Sequence, residues 1–450
     1  MPTKLTAFLD DYNDIFKLQT IDNKNLARIY THGLFASYRR NVERIDERID
    51  NSQYDQLHHF LSNSPWSSRE LIDRIAIRAF NLLQQSARSI EHPLGCYIDE
   101  SSFAKKGNKS AGVGRQYLGS KGKVDNGQVA VFSAFGSAQN CALVDCRLYL
   151  PQDWIEDLER CEKAGIPEDQ RSYKSKIELA LESVEHLDKM GLSPDFYAID
   201  ALYGNSMHFM NTLELTGKTV LGRVRSNFQL YLEKPHFYLP ERKSGRGRTP
   251  TKMRTKTKAF SVRAIQQKSN EEDWQRVEVR NTEKGKLYLD IIHKKIWVRC
   301  KNTNKTFERE LLITRESKEG KLKYSYTLVI PAGCTDLQRL VQMDRQRYWI
   351  ERSFQDVKNQ VGMDEYQVRK YDGFYHHMSL SMLAYLFLTE QRMLFGENIE
   401  LLSCADIKKF LEFLIPNKAV TLEDLYMQMW IRHKKRRAST ESFLRRQGEI

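Results

Sequence analysis

YIDESSFAKKGNKSAGVGRQYLGSKGKVDNGQVAVF, residues Tyr97 to Phe132, holds the decisive pattern. The short apolar run Leu94 to Ile98 leads into Asp99, and Gln128 to Phe135 reads as a second strand. Between them lies a Gly/Ser-rich stretch carrying Lys105, Lys106, Lys109, Arg115, Lys121 and Lys123. Such a loop lets backbone and cations approach phosphates closely. Ala142 to Leu150 reads as a third strand, antiparallel to the second.

Working outward, Ser175 to Met190 has a helical pattern. Asp195 to Ile199 is a strand ending at Asp200, Tyr203–Gly204 opens the next helix, and Thr219 to Val224 is a further strand. On the N-terminal side, residues 1–90 read as helices. Leu26 to Ile49 is one helical stretch, and Ser67-x-x-Glu70 is a capping box that starts another through Leu71, Ile75, Phe80 and Leu83. On the C-terminal side, residues 225–333 are β-rich, with strand candidates at Ala259–Ala264, Arg276–Arg280, Leu287–Ile292, Ile296–Val298, Leu311–Ile313 and Tyr324–Ile330. Leu337 to Gly362 and Gly373 to Phe395 then read as helices. The chain becomes helical again from about residue 396 and finishes in a basic tail.

The expected architecture is therefore α/β. A helical region spans 1–90, a core spans 91–224 and 334–395, a β-rich insertion spans 225–333, and a helical C-terminal region spans 396–450.

The chain has 450 residues, with 71 Lys+Arg against 58 Asp+Glu and a formal net charge of +13. Its 40% hydrophobic content can fill real cores and rules out wholesale disorder. The longest apolar run, Leu380 to Leu388, falls well short of a membrane span. The acidic N-terminus lacks the order of a signal peptide. Seven scattered cysteines, without metal-ligand spacing, suggest a reduced cytosolic protein without structural zinc. The positive charge points to a polyanionic partner.

Three acids stand out by position: Asp99 and Asp200 at strand ends, and Glu351 on the late helix. Carboxylates at the ends of neighbouring strands converge at one sheet edge, and a third from a packed helix completes a set of hard oxygen ligands suited to Mg²⁺. A strand-end Asp alone is commonly only a turn or cap residue. Glu100 is an alternative to Asp99, which is preferred because it directly follows the apolar run.

On the late helix, Arg347, Glu351 and Lys358 fall at roughly 0°, 40° and 20° and share one face with Phe354 at about −20°. A carboxylate between two cations is costly as plain structure and suits a place where metal and phosphate meet. An ordinary solvated ion-pair stripe would show the same spacing. Arg242 to Lys258, which includes Arg246 and Arg248, and Arg432 to Arg437 are two further cationic runs. Together with the glycine loop they indicate a nucleic-acid surface. There is no GxSxG and no Walker A motif, and His376–His377 reads as a packing pair.

These motifs resemble the DDE transposases of bacterial insertion sequences, close to the IS701 group of the IS4-like assemblage. The Tyr97–Phe132 segment resembles that surrounding the family's first catalytic Asp, here Asp99. AIDALYG resembles the segment around the second, here Asp200. Arg347, Glu351 and Lys358 keep the R-x3-E-x6-K spacing of the late signature Y-x2-R-x3-E-x6-K. The signature's tyrosine position is Asp344, with Tyr348 and Trp349 as nearby aromatics. SPWSS (Ser64–Ser68) and VGMDEYQVRKYDGFYHH (Val361–His377) also resemble the group.

The resemblance implies a ribonuclease H-like catalytic core interrupted by a β-rich insertion. It implies Asp99, Asp200 and Glu351 as catalytic ligands of two Mg²⁺ ions, for which Mn²⁺ substitutes. It implies cleavage of double-stranded DNA at terminal inverted repeats and joining to target DNA by a homodimer, in the bacterial cytoplasm on the nucleoid. Arg347, Lys358, Lys105, Lys106, Arg115, Arg246 and Arg248 would contact DNA, and the N-terminal helices would recognise the ends. The alternatives are a metal-dependent nuclease without strand transfer and a domesticated DNA-binding protein.

Overall fold

Strands covered on both faces lose polar alternation. Gly95–Ile98, Val129–Phe135 and Phe196–Ile199 are accordingly buried along unbroken runs. The structure, a computed structural model, describes residues 2–241, 250–282, 285–300, 303, 305–318, 320–333, 336–396, 399 and 402–447.

Ten strands form the main sheet: β1 (Gly95–Ala104), β2 (Gly114–Leu118), β3 (Lys123–Ser137), β4 (Asn140–Leu148), β5 (Phe196–Ile199), β6 (Thr219–Arg223), β7 (Gln275–Thr282), β8 (Gly285–Arg299), β9 (Thr306–Lys318) and β10 (Lys321–Ile330). Their order is β7-β8-β9-β10-β6-β5-β1-β3-β2, with β4 also paired to β3. β1, β3 and β4 form an antiparallel meander, while β5 and β6 add in parallel beside β1. That arrangement is the expected ribonuclease H-like core. The strands between Asp200 and Glu351 extend the same sheet, because β10 pairs with β6 from Ile330↔Val220 to Thr327↔Arg223.

The helix Tyr371–Gly396 is buried around most of its circumference. The N-terminal helices Lys24–Ala36, Tyr54–Ser62 and Ser68–Ser89 pack on it. Phe8 meets Phe387 edge-on at 5.1 Å, so the apolar run near Leu380–Leu388 serves the core. No helix among the described residues is long and apolar enough to cross a membrane.

Several elements differ from the sequence reading. Leu287–Ile292 and Ile296–Val298 belong to one strand, since His293–Lys295 keep pairing with Leu312, Leu311 and Glu310. The polar residues between the two apolar runs thus carry backbone ladder bonds. Ala259–Ala264 is only the short strand Phe260–Ser261, after which the Ser261 hydroxyl accepts from the Ala264 amide at 3.1 Å and starts the helix Val262–Lys268. Leu26–Ile49 splits into Lys24–Ala36 and Val42–Arg48, where Asn41 caps the second helix through the Arg44 amide. Leu337–Gly362 splits into Leu337–Gln346 and Tyr348–Val361. Arg347 at the junction stays helical in backbone (φ −54°, ψ −28°), so the direction persists. The basic run Arg432–Arg437 lies within the helix Leu422–Gln447.

Candidate active site

β1 and β5 run parallel, with Ile98 opposite Ile199. The next residues, Asp99 and Asp200, therefore lie side by side where β5 ends; contrary to the sequence reading Asp99 does not end its strand, because β1 keeps pairing with β3 as far as Ala104. Asp200 also caps a short helix, Ala201–Gly204, accepting the amides of Leu202 at 2.9 Å and Tyr203 at 3.3 Å. That helix begins immediately after Asp200 rather than at Tyr203–Gly204, because the carboxylate supplies the cap.

The same turn must press against β6. A Cβ on Gly204 would lie 2.0 Å from the Arg223 carbonyl oxygen, a backbone atom that cannot swing aside. Gly204→Ala is expected to lower stability by about 2–4 kcal/mol, measured as a reduced denaturation midpoint. An unchanged midpoint would mean that this approach does not hold the turn.

Arg347 links the strand carboxylate to the helix carboxylate. Its guanidinium donates to Asp99 Oδ2 at 3.0 Å and also to Glu351. The i,i+4 relation expected on the late helix is thus realised. Glu351 keeps 49% of its side chain exposed, whereas Asp99 and Arg347 are largely enclosed. Burial pushes the Asp99 carboxyl up, Arg347 opposes it, and Asp200 and Glu351 add to the rise, leaving it at about 7. Burial likewise raises Asp200, partly offset by Arg347. Despite its burial, Arg347 is held above its ordinary value by Asp99, Glu351 and Asp200.

Glu100 follows a different course. Its Oε1 accepts from Lys176 at 3.0 Å, on the helix Lys176–Lys189, and Oε2 is buried without a hydrogen bond. Arg347 thus pairs with Asp99 and not with Glu100, although Glu100 lies close enough to Asp200 to help raise its carboxyl.

In donor chemistry the three acids suit a divalent cation: Asp99, Asp200 and Glu351 are hard oxygen donors, and burial raises the Asp99 and Asp200 carboxyls while Arg347 opposes the rise. Among the described residues no three His, Cys, Asp or Glu side chains are gathered closely enough to hold a metal. In this arrangement the guanidinium bridges the strand and helix acids.

The expected cations separate into two groups. Lys358 donates to the Ser102 carbonyl at 3.2 Å. Lys105 donates to the Tyr366 carbonyl at 2.9 Å, its ammonium 3.1 Å from that ring's centre, and burial pushes it down to about 7. Both side chains are turned inward. Lys106 and Arg115 are exposed, and Arg246 and Arg248 lie outside the described residues. His376 stacks on Trp66 at 3.9 Å and meets the Leu61 and Trp66 carbonyls, as a packing residue should.

Asp344, at the signature's tyrosine position, is buried. Its Oδ1 accepts from the Thr327 hydroxyl at 2.8 Å, while Oδ2 lies 3.7 Å from Arg223 and 3.6 Å from Arg345. Burial alone would raise this carboxyl, but the two arginines hold it below the usual range. Arg223, the last residue of β6, was missed by sequence reasoning. Its signal was a cation ending the strand next to that of Asp200.

A DDE superfamily endonuclease model matches residues 17–286, which include Asp99 and Asp200 but not Glu351. A protein of Microchaete diplosiphon, described as a probable transposase for insertion sequence element IS701, is 29% identical over 224 residues, 49% of this chain and 54% of the relative. The match therefore spans about half the length of that relative. With the family model covering more than half of a chain whose sheet brings Asp99 beside Asp200, this protein belongs to the DDE superfamily endonucleases.

Proposed function

We propose that this chain is an insertion-sequence transposase that cleaves double-stranded DNA at the element's terminal inverted repeats and joins the freed ends to target DNA. The observation that carries the reading is the neighbouring pair Asp99, within β1, and Asp200, at the end of β5, with Asp99 tied to Glu351 through Arg347. These three acids are the proposed holders of two Mg²⁺ ions, replaceable by Mn²⁺. Bound there, the ions supply Lewis acidity and a nucleophile at neutral pH.

In the cleavage step, water oxygen attacks phosphorus as the P–O3′ bond breaks, and the proton that water gives up is matched by one taken up on the departing O3′, leaving a 3′ hydroxyl and a 5′ phosphate. In joining, that 3′ hydroxyl loses its proton and attacks a target phosphodiester, so one ester forms as one breaks. Asp99 and Asp200 set the edge at which phosphorus is placed, and Arg347 keeps the helix carboxylate at that edge. Arg347 offers charge to a neighbouring phosphate, and Lys358 and Lys105 are proposed to do so on leaving the Ser102 and Tyr366 carbonyls that they meet in this structure. Two ends brought together call for two copies of the chain, working in the bacterial cytoplasm on nucleoid DNA.

The domain assignment follows the same reading. Residues 1–90 recognise ends, 91–224 and 334–395 form the catalytic core, 225–333 are the insertion, and 396–450 close the chain.

The test is incubation with a labelled duplex bearing the element's terminal repeat, Mg²⁺ and target DNA. Cleavage followed by joining is the expected result. Cutting without joining of pre-cut ends would make it a nuclease, and binding without cutting would make it a DNA-binding protein.

The outward cations have their own test. Lys106→Ala with Arg115→Ala should reduce the slope of log affinity against log salt by about 2. Arg246 and Arg248 are proposed contacts of the same kind. An unchanged slope in the Lys106/Arg115 variant removes that loop from the DNA surface.

A further inference from the structure

The helix Leu422–Gln447 runs for 26 residues with no fully buried side chain among those described. Its ties to the body of the chain are polar. Arg432 reaches Glu47 at 3.0 Å, and Lys435 reaches Glu43 at 2.9 Å. Counting 100° per residue from Leu422, Arg432 and Lys435 lie at roughly −80° and −140°. The side toward the body is therefore centred near −110°.

Met427 and Ile431 fall at roughly 140° and 180°, but five other large apolar residues share one side. Leu422, Leu425, Tyr426, Met429 and Trp430 fall at roughly 0°, −60°, 40°, −20° and 80°. They are 71, 48, 66, 51 and 60% exposed. An isolated exposed leucine needs no explanation, but five large apolar side chains in one stripe do. Among the described residues the helix is held by these two partly exposed ion pairs and by the Lys435 ammonium 5.0 Å from the centre of the Tyr54 ring; so few ties leave it marginal in water, and burying this stripe would stabilise it.

Charge indicates the occupant. Glu423 and Asp424 lie at the start of the helix, while Arg432, Lys434, Lys435, Arg436 and Arg437 lie farther along. Glu423, Lys434 and Arg437 sit at roughly 100°, 120° and 60°, on one flank of the stripe. A second copy laid antiparallel sets each acidic start toward the other's basic run, twice by symmetry, with the apolar stripes between. Parallel copies would oppose like charges. DNA would meet the cations but would leave the apolar stripe bare and Glu423 repelled.

We infer that the Leu422–Arg437 face is the docking surface for a second copy of this chain, packed antiparallel in a two-fold interface. The inference rests on this helix and not on the proposed reaction.

The test is sedimentation of the full chain without DNA, from about 0.1 to 50 μM, a range that brackets ordinary self-association. Wild type should reach a dimer mass. Leu425→Glu with Met429→Glu should weaken self-association by about 30-fold or more while leaving the circular dichroism spectrum unchanged. Glu423→Lys and the Lys434→Glu/Arg437→Glu variant should each weaken it, and mixing the two should restore association above either alone. A wild type that stays monomeric overturns the inference, whether or not Leu425→Glu lowers affinity for a non-specific duplex. So does a dimer that survives the double glutamate variant undiminished. Self-association without any DNA cleavage would leave this interface standing and the proposed reaction refuted.

Discussion

Asp99→Ala is expected to slow DNA cleavage by about 10³-fold or more while DNA binding persists. The residue stands beside Asp200, where the parallel pairing of β1 with β5 ends, and shares Arg347 with Glu351. Its loss would remove one proposed ligand and release the guanidinium that holds the helix acid in place. Asp200→Ala and Glu351→Ala should have effects of the same order. Because Asp200 also caps a helix, Asp200→Asn is the better probe there, since an amide keeps a capping oxygen.

Glu100→Ala is the control. Its partner is Lys176, and cleavage should stay within about tenfold of wild type. Normal cutting by Asp99→Ala together with failure of Glu100→Ala would move the role one residue along β1.

The second large effect concerns stability. Asp145 on β4 is fully enclosed, with Arg69 at 2.6 Å and Arg147 at 2.9 Å. Arg69 belongs to the helix Ser68–Ser89, so this carboxylate fastens the N-terminal helices to the sheet. Burial alone would raise its pKa, but Arg69 and Arg147 pull it far below the usual carboxylate range. Asp145→Ala should cost about 3 kcal/mol, because it strands two cations whose remaining partners, Asp73 and Glu182, are more exposed.

The pH dependence follows from the depressed native pKa. This carboxylate's contribution is fully present above its unfolded value of about 4 and fades as pH falls toward the native one. Denaturation midpoints at pH 7 and pH 3 would check it. The gap between wild type and Asp145→Ala should narrow in acid, and a gap independent of pH would mean that the ion pairs contribute nothing.

Asp344 shows how one residue can be legible in sequence yet opaque in role. Its departure from the signature's tyrosine is visible in the chain. That it lies buried among Thr327, Arg223 and Arg345 depends on β6 and β10 lying side by side, and no local spacing encodes this. Lys105 and Lys358 are a similar case. Their charge marks them as candidate phosphate contacts, and only tertiary packing, of the helix Tyr348–Val361 on β1 for Lys358 and of the Tyr366 segment beside the end of β1 for Lys105, turns their ammonium groups onto carbonyls.

Local chemistry was enough wherever a short-range rule decides the outcome. Apolar runs leading into Asp99 and Asp200, the Ser67 cap that accepts from the Glu70 amide, and the four-residue step from Arg347 to Glu351 each concern residues within one turn or one strand. Sequence therefore located the core strands, the late helix and the two carboxylates, Asp99 and Glu351, that Arg347 bridges. It did not reveal that strands from both sides of residue 225 share one sheet, that Leu287–Val298 is a single strand, or that Arg223 lies near the site. Those outcomes rest on hydrogen bonds and ion pairs between residues far apart in the chain. Their partners are chosen by which surfaces can be buried together, a property of the whole packed molecule rather than of any segment.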